Sequence, residues 1–216
     1  MNILVGCERS GRVRDAFIRK GYNAISCDLE PTEVPGPHYE GGIFDMIYGR
    51  AGDLFCHVNW DVGIFFPPCD DIAVSGARWF EEKRIDGSQR KSIEFFLNLW
   101  ECNIPRIAIE NPIGIMSGDR KYLEKWFPDL YERAKKLSIP RIVQPWMFGH
   151  PEKKATCLWT RGLFQLKPTN DVRKEMGLLP LNVQQRCHYM APGPNRAIDR
   201  ARTYPGIAEA MASQWG

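Results

Sequence analysis

At 216 residues with 44% apolar and 25% charged content, the chain can bury the core of a single α/β domain. A net charge of +3 does not by itself mark a nucleic-acid binder, so the placement of the basic residues matters more than their sum. Seven cysteines at positions 7, 27, 56, 69, 102, 157 and 187, without a C-x-x-C pair, exclude a disulfide framework and a paired zinc motif; no apolar run approaches the roughly 18 residues of a membrane span. No basic n-region or cleavage site precedes the first apolar run, so no signal peptide is expected and the chain reads as a reduced, cytoplasmic protein.

The first predicted element is a strand, Asn2-Ile3-Leu4-Val5-Gly6-Cys7. The turn Glu8-Arg9-Ser10-Gly11 and a helix from about Arg12 to Lys20 follow, then a second strand, Asn23 to Asp28, that ends in an acid. Strand, glycine-containing turn, helix, strand and terminal carboxylate is the pattern that holds a nucleoside with its ribose on the acid. Gly6 and Gly11 fall short of a full G-x-G-x-x-G, and an ordinary βαβ unit reads equally well.

Next, Val62-Gly63-Ile64-Phe65-Phe66 is a short apolar run closed by Pro67-Pro68-Cys69. It reads as a buried strand, and the two prolines force the chain out of the sheet in an extended loop. Cys69 is thereby delivered to the carboxyl end of a parallel strand, where α/β sheets bind ligands. Taken alone, it is equally a small buried hydrophobe. A second run, Ile107-Ala108-Ile109, ends in Glu110-Asn111-Pro112. A carboxylate directly after an apolar strand needs a partner, a ligand or a raised pKa. Glu110 either caps the segment 114–117 or shares a substrate with Cys69, as a nucleophile and an acid at neighbouring strand ends can.

Further on, Phe148-Gly149-His150-Pro151 makes a turn, Glu152-Lys153-Lys154 a basic stretch, and Ala155 to Trp159 an apolar strand. Segment 160–200 is rich in Pro, Gly and Asn and reads as loops with one short helix near 170–176. Arg186, His188, Arg196, Arg200 and Arg202, with Tyr189 among them, make either a phosphate-tracking loop or a solvated one. Pro205-Gly206 begins a closing helix with an alanine-rich face.

Pro67-Pro68-Cys69 and Glu110-Asn111-Pro112, 41 residues apart between Cys69 and Glu110, resemble the catalytic cysteine and glutamate motifs of the DNA cytosine-C5 methyltransferases. Pro112 stands where that family more often has valine. Phe148-Gly149-His150-Pro151 with the basic stretch, and the segment from Arg202 to Ala212, resemble its later motifs. The likeness is greatest to short, stand-alone members of the kind carried by bacteriophages. It implies an α/β, Rossmann-like S-adenosylmethionine-dependent methyltransferase fold, a mostly parallel sheet with flanking helices. The chain 1–216 would be one domain, with 160–200 as a reduced target-recognition segment.

The resemblance also implies roles. Cys69 would add to C6 of cytosine, because C5 becomes nucleophilic only once the ring is converted to an enamine. Glu110 would contact N3 and the exocyclic amine. Lys154 would join the catalytic set, and with Lys153 and Arg78 would supply the positive charge that lowers a thiol's pKa. S-adenosyl-L-methionine would be held by Gly6, Cys7, Glu8, Ser10, Gly11, Asp28, Asp45 and Pro67, Asp28 taking the ribose. In place of the family's Phe-x-Gly-x-Gly the chain has Val5-Gly6-Cys7-Glu8-Arg9-Ser10-Gly11. Arg78, Lys153, Arg200 and Arg202 would contact duplex DNA from which the target base is flipped. With so little recognition segment, a dimer or a partner protein would help read the sequence. The alternatives are a free pyrimidine nucleotide as substrate, and a catalytically silent relative that binds DNA or S-adenosylmethionine.

Overall fold

A computed structural model describes residues 1–52, 55 and 58–216; Cys56 lies outside the described residues. Seven strands form one sheet: β1 (Asn2–Gly6), β2 (Asn23–Asp28), β3 (His38–Glu40), β4 (Val62–Phe65), β5 (Arg106–Pro112), β6 (Arg141–Val143) and β7 (Thr156–Arg161). Their order is β3-β2-β1-β4-β5-β7-β6. Strands β1 to β5 pair in parallel, while β7 runs antiparallel to both β5 and β6.

Alternating residues of each central strand feed opposite faces, as the two-residue strand period requires. Ile3, Val5, Val62, Ile64 and Ala108 pack beneath α1 (Arg12–Arg19) and the C-terminal helix, through Val13, Phe17, Ile207 and Met211. Leu4, Phe65, Ile107, Ile109 and Trp159 face the other way. There they meet α2 (Ile43–Ile47), α4 (Ser88–Glu101), α5 (Lys121–Trp126) and α6 (Pro128–Ala134). A short helix, α3 (Phe80–Ile85), leads into α4. Covered on both faces, the strands read as continuous apolar runs rather than as alternating ones.

Two boundaries differ from the sequence reading. Glu110, Asn111 and Pro112 lie within β5 rather than beyond it, because β7 runs alongside and pairs Glu110 with Leu158 and Pro112 with Thr156. The region 160–200 holds four helices instead of one: α7 (Arg173–Gly177), α8 (Leu181–Gln184), α9 (Arg186–Tyr189) and α10 (Arg196–Ala201). Pieces of four to six residues are too short to print a helical period on the sequence, and isolated they would not persist.

The closing helix, α11 (Pro205–Trp215), docks by close approach. The Gly206 N–H donates to His150 Nε2 at 2.9 Å, and a Cβ on Gly206 would fall 1.9 Å from the Phe148 carbonyl oxygen. Glycine is therefore required there for packing. Between β1 and β4 the order of connection reverses, and the carboxyl ends of these two strands flank the crevice where open α/β sheets take ligands.

Candidate active site

Cys69 sits just past the carboxyl end of β4, partly exposed, on a loop held to β5. Buried Asn111 donates from Nδ2 to the Pro67 carbonyl at 2.8 Å. Beyond Cys69 the loop pairs again with the end of β5: Val74 N–H donates to Ile113 O at 3.0 Å and Ile115 N–H to Ile72 O at 2.9 Å. In the sequence Asn111 stands out only as part of a motif. Its position there gives no sign that its amide spans two strands.

The sequence leads one to expect nearby cations to lower the Cys69 pKa. The structure corrects this: the thiol is pushed up to about 11. Burial is the largest cause, and the carboxylates of Asp70 and Glu110 add to it. Lys154 pulls the thiol down but is outweighed. Arg78 is exposed on the turn after the loop, with its guanidinium 4.8 Å over the Trp79 ring.

Glu110 is held above the ordinary carboxylate range by its apolar surroundings, against a downward pull from Lys154 and Thr156. Both carboxyl and ammonium line a small pocket with Phe66, Thr156, Tyr204 and Thr203. Its volume is about 20 Å³, room for about one water. Lys154 Nζ donates to the Arg200 carbonyl at 2.6 Å and lies 5.8 Å from the Tyr204 ring centre. The structure thus brings Cys69, Glu110 and Lys154 close enough that Glu110 raises the thiol pKa and Lys154 pulls down those of both Cys69 and Glu110.

A much larger cavity, about 570 Å³, opens on the other side of the Cys69 loop. Cys7, Asp28 and Asp45 line it, with Pro68 at its edge. Its apolar wall comes from Leu29, Ile43, Phe44 and Phe95, and Lys91 and Ser92 of α4 complete it. Nothing in the sequence assigns these α4 residues to the cavity, since only the way that helix crosses the sheet brings them there.

The other residues assigned to the nucleoside loop do structural work nearby. A Cβ on Gly6 would strike Ile43 and Phe65 side chains. Glu8 accepts from the Arg12 N–H at 3.0 Å and from the Ser10 hydroxyl, so it caps α1 from within the loop. Burial raises the Glu8 pKa, and Ser10, Arg12 and Arg14 oppose that. Gly11 stands at φ 72° directly before α1, where its lack of a Cβ also leaves room for the Arg14 guanidinium. Pro67 is buried and serves through its carbonyl, the acceptor for Asn111.

Of the candidate phosphate contacts, Arg200 and Arg202 lie at the end of α10, where Lys154, the neighbour of Lys153, bonds the Arg200 carbonyl. Lys153 and Arg200 are exposed. Arg202 is engaged in ion pairs with Glu33, at 2.7 Å, and with Asp199.

No protein-family model matches the chain, and no curated protein matches it. Solved structures do. A protein described as a DNA modification methyltransferase encoded within a prophage of E. coli superposes with a TM-score of 0.53 at 14% identity, over 84% of this chain and 56% of that one. The Entamoeba histolytica methyltransferase EhMeth gives a TM-score of 0.46 at 16% identity, over 79% and 57%. The S. pombe Dnmt2 methyltransferase gives 0.41 at 15%, over 89% and 60%. The chain therefore spans a little over half the length of the structures it matches. The mixed seven-stranded sheet with helices on both faces is the Rossmann-like fold of the S-adenosylmethionine-dependent methyltransferases.

Proposed function

We propose that this chain, as a single domain, methylates cytosine at C5 in DNA, using S-adenosylmethionine and a covalent bond from Cys69 to C6. One observation carries the reading. A cysteine and a glutamate stand at the carboxyl ends of adjacent parallel strands, cross-tied by Asn111, beside a nucleoside-sized cavity at the strand-order switch. The cavity suits the cofactor: apolar side chains for an adenine, and carboxylates at the end of β2 and on α2 for hydroxyl groups. S-adenosylmethionine supplies an electrophilic methyl group there.

The residues of the chain do the rest. The Cys69 thiol gives up its proton to solvent and Sγ bonds to C6, while Glu110, which holds a proton readily, donates it to N3 as negative charge develops there. The electron pair of the C5=C6 bond is thereby made available at C5 to attack the methyl group. After transfer, a base removes the C5 proton and Sγ leaves with the pair of the C6–S bond, restoring C5=C6. Asp70 and Glu110 disfavour the thiolate while both are negative. Once Glu110 is neutral and bound to the base, one of those two opposing charges is gone. Lys154 favours the negative state of both Cys69 and Glu110.

Arg78, Lys153 and Arg200 supply positive charge for a phosphate backbone, and the segment 160–200 would carry limited sequence readout. The six described cysteines are free thiols, which suits a reducing compartment.

The test is methyl transfer from labelled S-adenosylmethionine to mixed-sequence duplex DNA and to dCMP in parallel, with products identified by mass spectrometry. Label as 5-methylcytosine in DNA is the expected result. Label in the nucleotide alone moves the activity to a free pyrimidine, and label in neither overturns the enzymatic reading. Asp28→Ala is expected to weaken binding of S-adenosylmethionine about tenfold, roughly 1.4 kcal/mol, read by calorimetric titration. Unchanged affinity would remove Asp28 from the site.

A further inference from the structure

The Cys69 loop is also held by a second set of contacts, three of which converge on Asp71. Its carboxylate accepts from Ser92 Oγ at 2.6 Å and pairs with Lys83 Nζ at 2.9 Å. Its main-chain carbonyl accepts from Nε2 of Gln89, a fully buried side chain, at 2.9 Å. Lys83 reaches past it to donate to the Asp70 carbonyl at 2.7 Å. The Cys69 carbonyl in turn accepts from the N–H groups of Ile72 and Ala73, at 3.1 and 2.8 Å. Three donors from α3 and α4 therefore fix the two residues after Cys69, as Asn111 fixes the residue two before it.

Ser92 has a second allegiance. It lines the large cavity beside Lys91 and Phe95, and Pro68 of the Cys69 loop lines the same space. Ser92 and Asp71 thus form a direct bridge from the wall of that cavity to the loop that bears the thiol. Hydroxyl to carboxylate is a charge-assisted bond, about twice as strong as a neutral one. Asp71 is only partly covered, so this arrangement adds little to overall stability for an ion pair. Its value lies in geometry.

We infer that Asp71 is a positioning residue: bonded to Ser92, Lys83 and Gln89, it sets where Cys69 Sγ stands relative to the cavity. The inference rests on the proposed covalent mechanism for its catalytic consequence, but not for its structural one. Misplacing a reacting atom by about 1 Å costs on the order of a hundredfold in rate.

The test compares Asp71→Ala, Asp71→Asn and Ser92→Ala with the unaltered protein, using iodoacetamide at fixed pH and locating the modified cysteines by peptide mass spectrometry. Asp71→Ala is expected to raise the alkylation rate of Cys69 at least about threefold, while the buried Cys27, Cys102, Cys157 and Cys187 stay within twofold. Ser92→Ala shifts Cys69 in the same direction, and Asp71→Asn, which keeps an acceptor for Ser92, restores part of the difference. In methyl transfer, kcat falls at least tenfold in Asp71→Ala while KM for S-adenosylmethionine moves less than threefold. A Cys69 rate within twofold of the unaltered protein overturns the inference, as does a rise shared by the four buried cysteines, which would report general loosening. If Asp71→Ala does not fold, the Cys69 rate in Ser92→Ala is held to the same twofold limit and decides in its place. Absence of methyl transfer in the unaltered protein would defeat the proposed function, while the alkylation comparison would still decide the role of Asp71.

Discussion

Cys69→Ser is expected to lower methyl transfer by about a thousandfold or more while leaving S-adenosylmethionine binding within about twofold. A serine hydroxyl ionises far less readily than a thiol and is a poorer nucleophile at carbon. Binding should survive because Pro68, rather than Cys69, borders the large cavity, and the exchange of sulfur for oxygen leaves the Asn111 and Asp71 anchors in place. Retained turnover in the serine variant would rule out the covalent route.

A pH signature accompanies this result. With the Cys69 thiol raised to about 11, only about one molecule in ten thousand carries the thiolate at pH 7. In the protein without ligands, alkylation at Cys69 should therefore climb about tenfold per pH unit between pH 7 and 10. A plateau near pH 8 would mean that the cations win after all. Burial, the largest cause of the rise, keeps the thiol protonated in the free protein, with Asp70 and Glu110 adding to it, so the free protein resists stray alkylation.

Gly114→Ala is the second substitution with a large expected effect, and it acts through the backbone. Gly114 bridges Ala73 where the Cys69 loop pairs with the end of β5. A Cβ there would lie 2.1 Å from the Ile72 carbonyl oxygen and 3.0 Å from Ala73 Cα. Both obstacles are main chain, so no side chain can swing aside; the loop itself has to move. Overpacking of this kind costs about 1–3 kcal/mol, which lowers Tm by about 2–12 °C in a chain of this size. Thermal unfolding should be compared with Gly118→Ala, whose Cβ would meet nothing within 4 Å; that variant should stay within about 0.5 kcal/mol of the parent. Equal Tm values for the two would mean that the close approach at Gly114 relaxes without cost.

Much of the scaffold was legible because its signals are local. Ile3 to Val5, Val62 to Phe66 and Ile107 to Ile109 are apolar runs, Ala24 to Cys27 is apolar but for Ser26, and glycine, proline or acid follows each one. Their shared pattern placed Cys69 and Glu110 at one edge of the sheet. The direction of the Cys69 pKa was not legible, since it depends on burial and on how near Glu110 comes across two strands. Nor was the pairing of Arg202 with Glu33, which joins residues 169 apart in the chain. A cation in a Pro- and Gly-rich stretch looks available in sequence; only the fold reveals the carboxylate opposite it. The cavity wall from Phe95, Ser92 and Lys91 was hidden for the same reason, because only the sheet order brings α4 to the cavity that Cys7 and Asp28 also line.

The one-water pocket at Glu110 has a consequence for affinity. It is roofed by Ala201, Thr203 and Tyr204, and that roof is tied down by Lys154 on the Arg200 carbonyl, by Arg12 on the Thr203 carbonyl at 2.8 Å, and by Arg202 on Glu33. On the proposed function, a pyrimidine ring reaches Glu110 only when this roof moves aside, so binding would draw on the fraction of molecules whose pocket is open. Its apparent Kd is then the intrinsic value divided by that fraction. A polyanion is well suited to enlarge the fraction, because its phosphates compete with Glu33 for Arg202. Weak binding of an isolated nucleotide and tighter binding of a strand would then reflect the same pocket, closed in one case and levered open in the other.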